Sequence, residues 1–321
     1  MDDGKMNVER MGEVAGVTEP PRQRNVVFFS EGGLRSGWRL LIYALIVIAV
    51  SMLISAVARR IAGASRGVPS PSAMILQELL GFAVVFGAAA VMSRIEWRRV
   101  GDYGLPARQI FAGKFWLGFL FGLAEISVLI GLVAAFGGYS FGSLALHGNE
   151  IMRWGVIHLV LFTFVGFFEE FMFRGYTQFT LGDGIGFWPA AILLSVGFGA
   201  AHLGKGNAGE NWIGAASVVL VGLFFCFTLR RTGNLWYAVG LHASFDWGET
   251  FLYSVPNSGV VMQGHLSNAV LHGPKWLTGA SVGPEGSVFC FLTMGLQFLV
   301  VMWLFPKKET GQPSQLSVAA K

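Results

Sequence analysis

Long apolar runs separated by short polar stretches fill residues 38–305, and their lengths predict a helical membrane protein. The runs lie at about 39–58, 73–93, 115–136, 154–180, 187–203, 213–229, 235–254 and 287–305. A hydrocarbon core of ~30 Å needs about 20 helical residues, so each run is a candidate span. The expected fold class is all-α: a polytopic membrane protein of about eight transmembrane helices. Trp38, Trp116, Trp154, Trp188, Trp236 and Trp303 fall near the run ends, where aromatic side chains favour the membrane–water boundary. The pattern divides the chain into a polar tail at 1–37, helices one to three with their loops at 38–150, and a polar-interrupted core at 151–254. An outer loop with the last helix follows at 255–305, then a second tail at 306–321. No repeat with a period of 20–50 residues stands out.

The interruptions in the core are ionisable. Glu169, Glu170 and Arg174 break the fourth run, His202 ends the fifth, and His242 with Asp246 breaks the seventh. A charged group at the bilayer centre costs ~2.5–3.5 kcal/mol on insertion scales, so each is a functional-site hypothesis. Glu170 and Arg174 stand at i and i+4 with the acid first, the favourable order for an ion pair. Successive helical residues turn about 100°, so Glu169 faces elsewhere and is available for chemistry. Phe198 lies four residues before His202 and shares its face, so it can wall one side of the imidazole. His242 and Asp246 also share a face, with Glu249 at i+7 near the outer end of its span, where it meets water. At about 1.5 Å per residue, counting inward from the turn at 181–187 and, on the Arg230-Arg231 side, from the start of the seventh run at 235, Glu169 lies roughly 18 Å deep, His202 roughly 22 Å, His242 roughly 11 Å and Asp246 roughly 17 Å. Three helices thus place polar groups in one slab near the midplane. His158 stands on a face similar to that of Glu169 but about three turns away, and Glu78 and Glu125 lack a sequence partner; these residues either line a cavity or, as is expected first, take packing or interface positions. The loop histidines His265 and His272 are expected to be solvated bystanders.

Composition agrees: 53% of residues are hydrophobic, 13% are charged, and the mean hydropathy is +0.57. In a soluble protein the net charge of +4 would suggest nucleic acid; here the basic residues report orientation, and no nucleic-acid patch is expected. In an eight-span arrangement Arg59, Arg60, Arg66, Arg153, Lys205 and Lys275 fall on one side. The remainder of the 23 Lys and Arg, with Arg174 counted among them, fall on the side of the termini. The positive-inside rule places both termini in the cytoplasm of a multi-pass cell-membrane protein. The polar stretch before the first run predicts an uncleaved anchor. Cys226 and Cys290 both fall within spans, so no disulfide or zinc-thiolate framework is expected.

The ordered motifs Glu169-Glu170-Phe171-Met172-Phe173-Arg174, Phe198 to His202 and His242-Ala243-Ser244-Phe245-Asp246 resemble those of the CPBP (Abi) intramembrane endopeptidases, the family that includes the CAAX prenyl protease type II-like and lysostaphin resistance protein A-like members. The resemblance covers roughly residues 150–250. It implies a catalytic core in helices four to seven that hydrolyses a peptide bond of a membrane-associated protein or peptide, CAAX-type prenylated substrates and peptide precursors included. By carry-over, Glu169 and His202 hold a water with Glu169 as general base, while His242 and Asp246 face the oxyanion. Preorganised oxyanion donors are worth ~3–4 kcal/mol. Glu170, Arg174 and Phe198 support them. The prenyl proteases typically carry Asn where Asp246 stands, and an anionic side chain is a poorer oxyanion donor unless protonated, so at this position the chain departs from the prenyl-protease pattern. No cofactor is expected; the alternative is zinc held by His202, His242 and Glu169.

Two other classes fit buried acids and histidines. A transporter or proton-coupled channel also concentrates such groups at the midplane, although the internal repeats and broken helices common in transporters are not apparent. A non-catalytic immunity or binding protein of the same fold would keep the residues without the chemistry. Neither oligomeric state nor substrate identity can be read from the pattern.

Overall fold

The computed structural model describes residues 28–30, 33–62, 70–204 and 211–307. The expected tails therefore lie mostly outside the described residues, as do Arg66 and Lys205. A short antiparallel pair, β1 (Phe29–Ser30) and β2 (Gly33–Leu34), precedes the helices α1 (Ser36–Ala62), α2 (Pro71–Ile95) and α3 (Gly113–Ala135). Strand β3 (Tyr139–Ser140) leads to α4 (Asn149–Arg174), α5 (Tyr176–Ile185), α6 (Phe187–Gly204), α7 (Trp212–Thr232) and α8 (Trp236–Trp247). A π-helical turn, Gly248–Leu252, extends α8; β4 (Val270–Leu271), α9 (Lys275–Thr278) and α10 (Val288–Leu304) complete the chain. The protein is an all-α polytopic membrane protein.

Local chemistry sets several boundaries. Pro71 opens α2 behind Ser70, whose Oγ accepts from Ala73 N–H at 3.3 Å. Asn211 caps α7 by accepting from Ile213 N–H at 2.9 Å and Gly214 N–H at 3.3 Å. Ser287 accepts from Phe289 N–H at 3.2 Å to start α10. Gly233, at φ 78°, ends α7 in the left-handed conformation.

Helices stand at all eight expected places, with three corrections. By length and composition five segments can cross a membrane: Ser36–Arg60, Pro71–Ile95, Gly113–Ala135, Asn149–Ile185 and Trp212–Thr232. The helices at Phe187–Leu203 and Val288–Leu304 are apolar but shorter, and α8 has only 12 residues before its π-helical turn. The fourth run is broken at Gly175 into α4 and α5, and α5 meets α6 across the single residue Gly186. Arg174 is not a loop residue reporting orientation, for it is completely buried.

Small residues bring α3 against α8. A Cβ at Gly118 would sit 2.0 Å from Tyr237 O, one at Gly122 2.2 Å from Leu241 O, and one at Gly240 2.1 Å from Phe115 O. Backbone contact this close is typical of helix packing in membranes and fixes the axial position of α8. On its lipid-facing side α1 exposes Leu45, Ile48, Met52 and Leu53. At one end of the bundle Arg39 pairs with Glu96 and, at 3.0 Å, with Asp183, tying α1 to α2 and α5. At the other end β3 pairs with β4, which joins the loops expected on one side of the membrane.

Candidate active site

A cavity of about 200 Å³ opens inside the bundle. Glu169 from α4, His202 from α6, and His242 and Asp246 from α8 all line it, as does Phe198. All but the half-buried His242 are buried, and much of the remaining wall is apolar, including Leu161, Phe162, Val218 and Phe224. Glu78 and Glu125 also reach the cavity, from α2 and α3, the less expected of their two alternatives.

Behind Glu169 lies the ion pair. Arg174 Nη1 donates to Glu170 Oε1 at 3.2 Å, and both side chains are completely shielded from solvent. The same carboxylate oxygen lies 3.0 Å from His242 Nδ1. Accepting an N–H from that nitrogen fixes the ring plane and turns Nε2 toward the cavity, 3.5 Å from Asp246 Oδ2 and 3.8 Å from Glu169 Oε2. Glu170 is therefore more than the arginine's counter-ion: it orients His242 from another helix.

His202 is oriented by its own helix. Nδ1 lies 3.0 Å from Phe198 O, a carbonyl that can only accept, so in the neutral ring the proton is on Nδ1 and the lone pair on Nε2. The Phe198 ring meets the imidazole edge-on at 4.7 Å. On its other side Phe198 carries the Arg174 guanidinium, 4.2 Å above the ring centre. Phe225 from α7 repeats the arrangement, stacking on His242 at 5.4 Å with Arg174 5.6 Å from its centre. Two aromatic rings thus link the buried cation to the two imidazoles. Phe225 sits in an apolar helix with no motif, so sequence gave no signal for it.

Asn257, Ser258 and Glu285, from the 255–286 segment, close another part of the cavity wall and were not foreseen. Glu249 corrects the expectation of an exposed position, since it is completely buried. The π-helical turn carries it inside, under the segment that leads to α9. His158 is buried among Trp154, Phe162 and Phe251. His265 Nδ1 contacts Met262 O at 2.8 Å and His272 Nε2 contacts Ser140 Oγ at 3.1 Å, so both loop histidines stand in local contacts. Cys226 and Cys290 are free and buried. Among the described residues the ligand atoms of Asp246, Glu249 and Glu285 converge within 4.8 Å, whereas His202, His242 and Glu169 form no such group.

Chemically, the cavity offers a carboxylate, the His202 imidazole lone pair and a second, oriented imidazole. No curated protein and no solved structure matches the chain. Residues 151–248, the stretch holding the first and last of these groups, match the family model for type II CAAX prenyl endopeptidase Rce1-like proteins, and this match supports membership of the CPBP/CAAX protease family.

Proposed function

We propose that the chain is an intramembrane endopeptidase that cleaves a membrane-associated protein or peptide with a water activated by Glu169 and His202. The observation that carries this reading is the convergence of Glu169, His202, His242 and Asp246, from three helices, on one cavity. In the reaction the water oxygen attacks the scissile carbonyl carbon while Glu169 takes a proton, and the His202 lone pair orients the water. The carbonyl oxygen becomes the oxyanion and accepts from Nε2–H of His242 in its imidazolium form, whose Nδ1–H Glu170 holds in place. Collapse breaks the C–N bond, and Glu169 returns its proton to the leaving amine. Asp246, 3.5 Å from the same Nε2, shares that N–H and supplies the counter-charge of the imidazolium instead of donating to the oxyanion.

The apolar wall suits a hydrophobic or prenylated segment entering from the bilayer, with both termini of the protease in the cytoplasm. Purified protein in nanodiscs, given prenylated and unprenylated peptides that carry a scissile segment, tests the reading. Cleavage that is lost in Glu169→Gln is expected. Proton or solute flux in proteoliposomes with no cleavage of any peptide would replace the protease with a transporter.

A further inference from the structure

At one end of the cavity three carboxylates meet from separate parts of the chain. Asp246 on α8, Glu249 on the π-helical turn and Glu285 on the turn Pro284–Gly286 bring an oxygen each within 4.8 Å of the others. Proximity of acids alone would mean little. The second observation concerns Glu249, whose side chain is 0% exposed and whose two oxygens both lack a hydrogen-bond partner. A buried carboxylate with no donor is among the least favourable arrangements a protein can hold. Among the described residues Asp246 pairs only with His242, at 3.5 Å, and neither it nor Glu249 pairs with a Lys or Arg.

We propose that Asp246, Glu249 and Glu285 bind a divalent cation of the hard, oxygen-preferring class, with calcium the best fit. An all-carboxylate ligand set without imidazole or thiolate favours such ions over zinc. Calcium takes six to eight oxygens with flexible geometry, so two-oxygen ligation by these acids together with water completes the shell. Asp246 and Glu285 line the cavity, which gives the ion its route in. Glu285 Oε2 also accepts from Ser258 N–H at 2.9 Å and Oγ–H at 3.1 Å. The cation therefore fastens the segment that covers the cavity onto α8, and it fixes Asp246 beside His242.

The test uses the purified full-length chain in nanodiscs titrated with terbium, whose luminescence the neighbouring Trp247 can sensitise, followed by competition with calcium and magnesium. One saturable site per chain is expected, displaced by calcium, with at least tenfold weaker affinity in Glu249→Gln and in Glu285→Gln. Glu125→Gln, a cavity acid outside the cluster, should bind as the unmodified chain does. Calcium should also raise the thermal midpoint of the unmodified chain and not that of Glu285→Gln, whose substitution lies on a partly exposed turn and keeps the test decisive if Glu249→Gln folds poorly. Absence of saturable binding, or affinity unchanged by both substitutions, overturns the site. The readout is binding, so its failure leaves the protease reading standing.

Discussion

His242 Nδ1 lies 3.0 Å from Glu170 Oε1, a contact between helices α8 and α4 that spans 72 positions of sequence. Glu170 thereby serves Arg174 and His242 at once, and the three groups form one buried unit. Removing one member of a buried ion pair leaves the other uncompensated, which typically costs about 3–5 kcal/mol. Arg174→Ala should therefore lower the thermal midpoint sharply, and Glu170→Gln should do the same while also reducing activity. Arg174→Lys should not restore the parent midpoint, because a lysine ammonium lacks the planar face that sits on Phe198 and Phe225. Thermal unfolding of detergent-solubilised variants checks this; a midpoint unchanged in Arg174→Ala would mean the pair is dispensable.

The α3–α8 contact should be as sensitive as the polar groups. A Cβ at Gly240 would lie 2.1 Å from Phe115 O, which cannot move without shifting its helix. Gly240→Ala should cost about 1–3 kcal/mol through overpacking. A shift of His242 by ~1 Å can cost ~10²-fold in rate. Peptide cleavage should fall much more than the amount of folded protein, as measured by comparing turnover with monodisperse yield.

Much of this arrangement was legible in the chain. The apolar runs located the helices, and the i, i+4 spacing of Glu170 and Arg174 foretold their ion pair because both atoms sit on one helix. Contacts between helices were not legible, since periodicity assigns a face but not a neighbour. The Glu170–His242 bond, the stacking of Phe225 on His242 and the approach of Glu285 to Asp246 all belong to that class. Glu249 was misjudged for a related reason: its place at a span end suggests water, but the π-helical turn and the following segment enclose it.

Phe225→Ala should weaken activity without abolishing it. Loss of an aromatic contact is worth about 0.5–1.5 kcal/mol beyond burial, which corresponds to roughly a 2- to 13-fold lower rate if it acts through His242. The fall should appear in kcat with KM little changed, because the ring touches the imidazole rather than a substrate-binding surface. A change confined to KM would assign Phe225 to substrate binding instead.

Asp246 separates two roles for the last motif position. If it orients His242, Asp246→Asn should keep activity within about tenfold, since an amide oxygen still accepts from Nε2–H. Asp246→Ala should lose about 10²-fold, the usual scale for disturbing an oxyanion donor. Equal loss in both variants would mean that the carboxylate charge itself takes part in the reaction. Cleavage assays on the pair, normalised to folded protein, distinguish the outcomes.

The account rests most directly on Glu169 as the base in the shared cavity. Purified chain and Glu169→Gln, compared side by side in nanodiscs on a panel of membrane-anchored peptides with products read by mass spectrometry, test it. Defined cleavage products are expected from the parent, at a rate at least 10²-fold above the variant. Equal cleavage by both proteins would contradict the assignment.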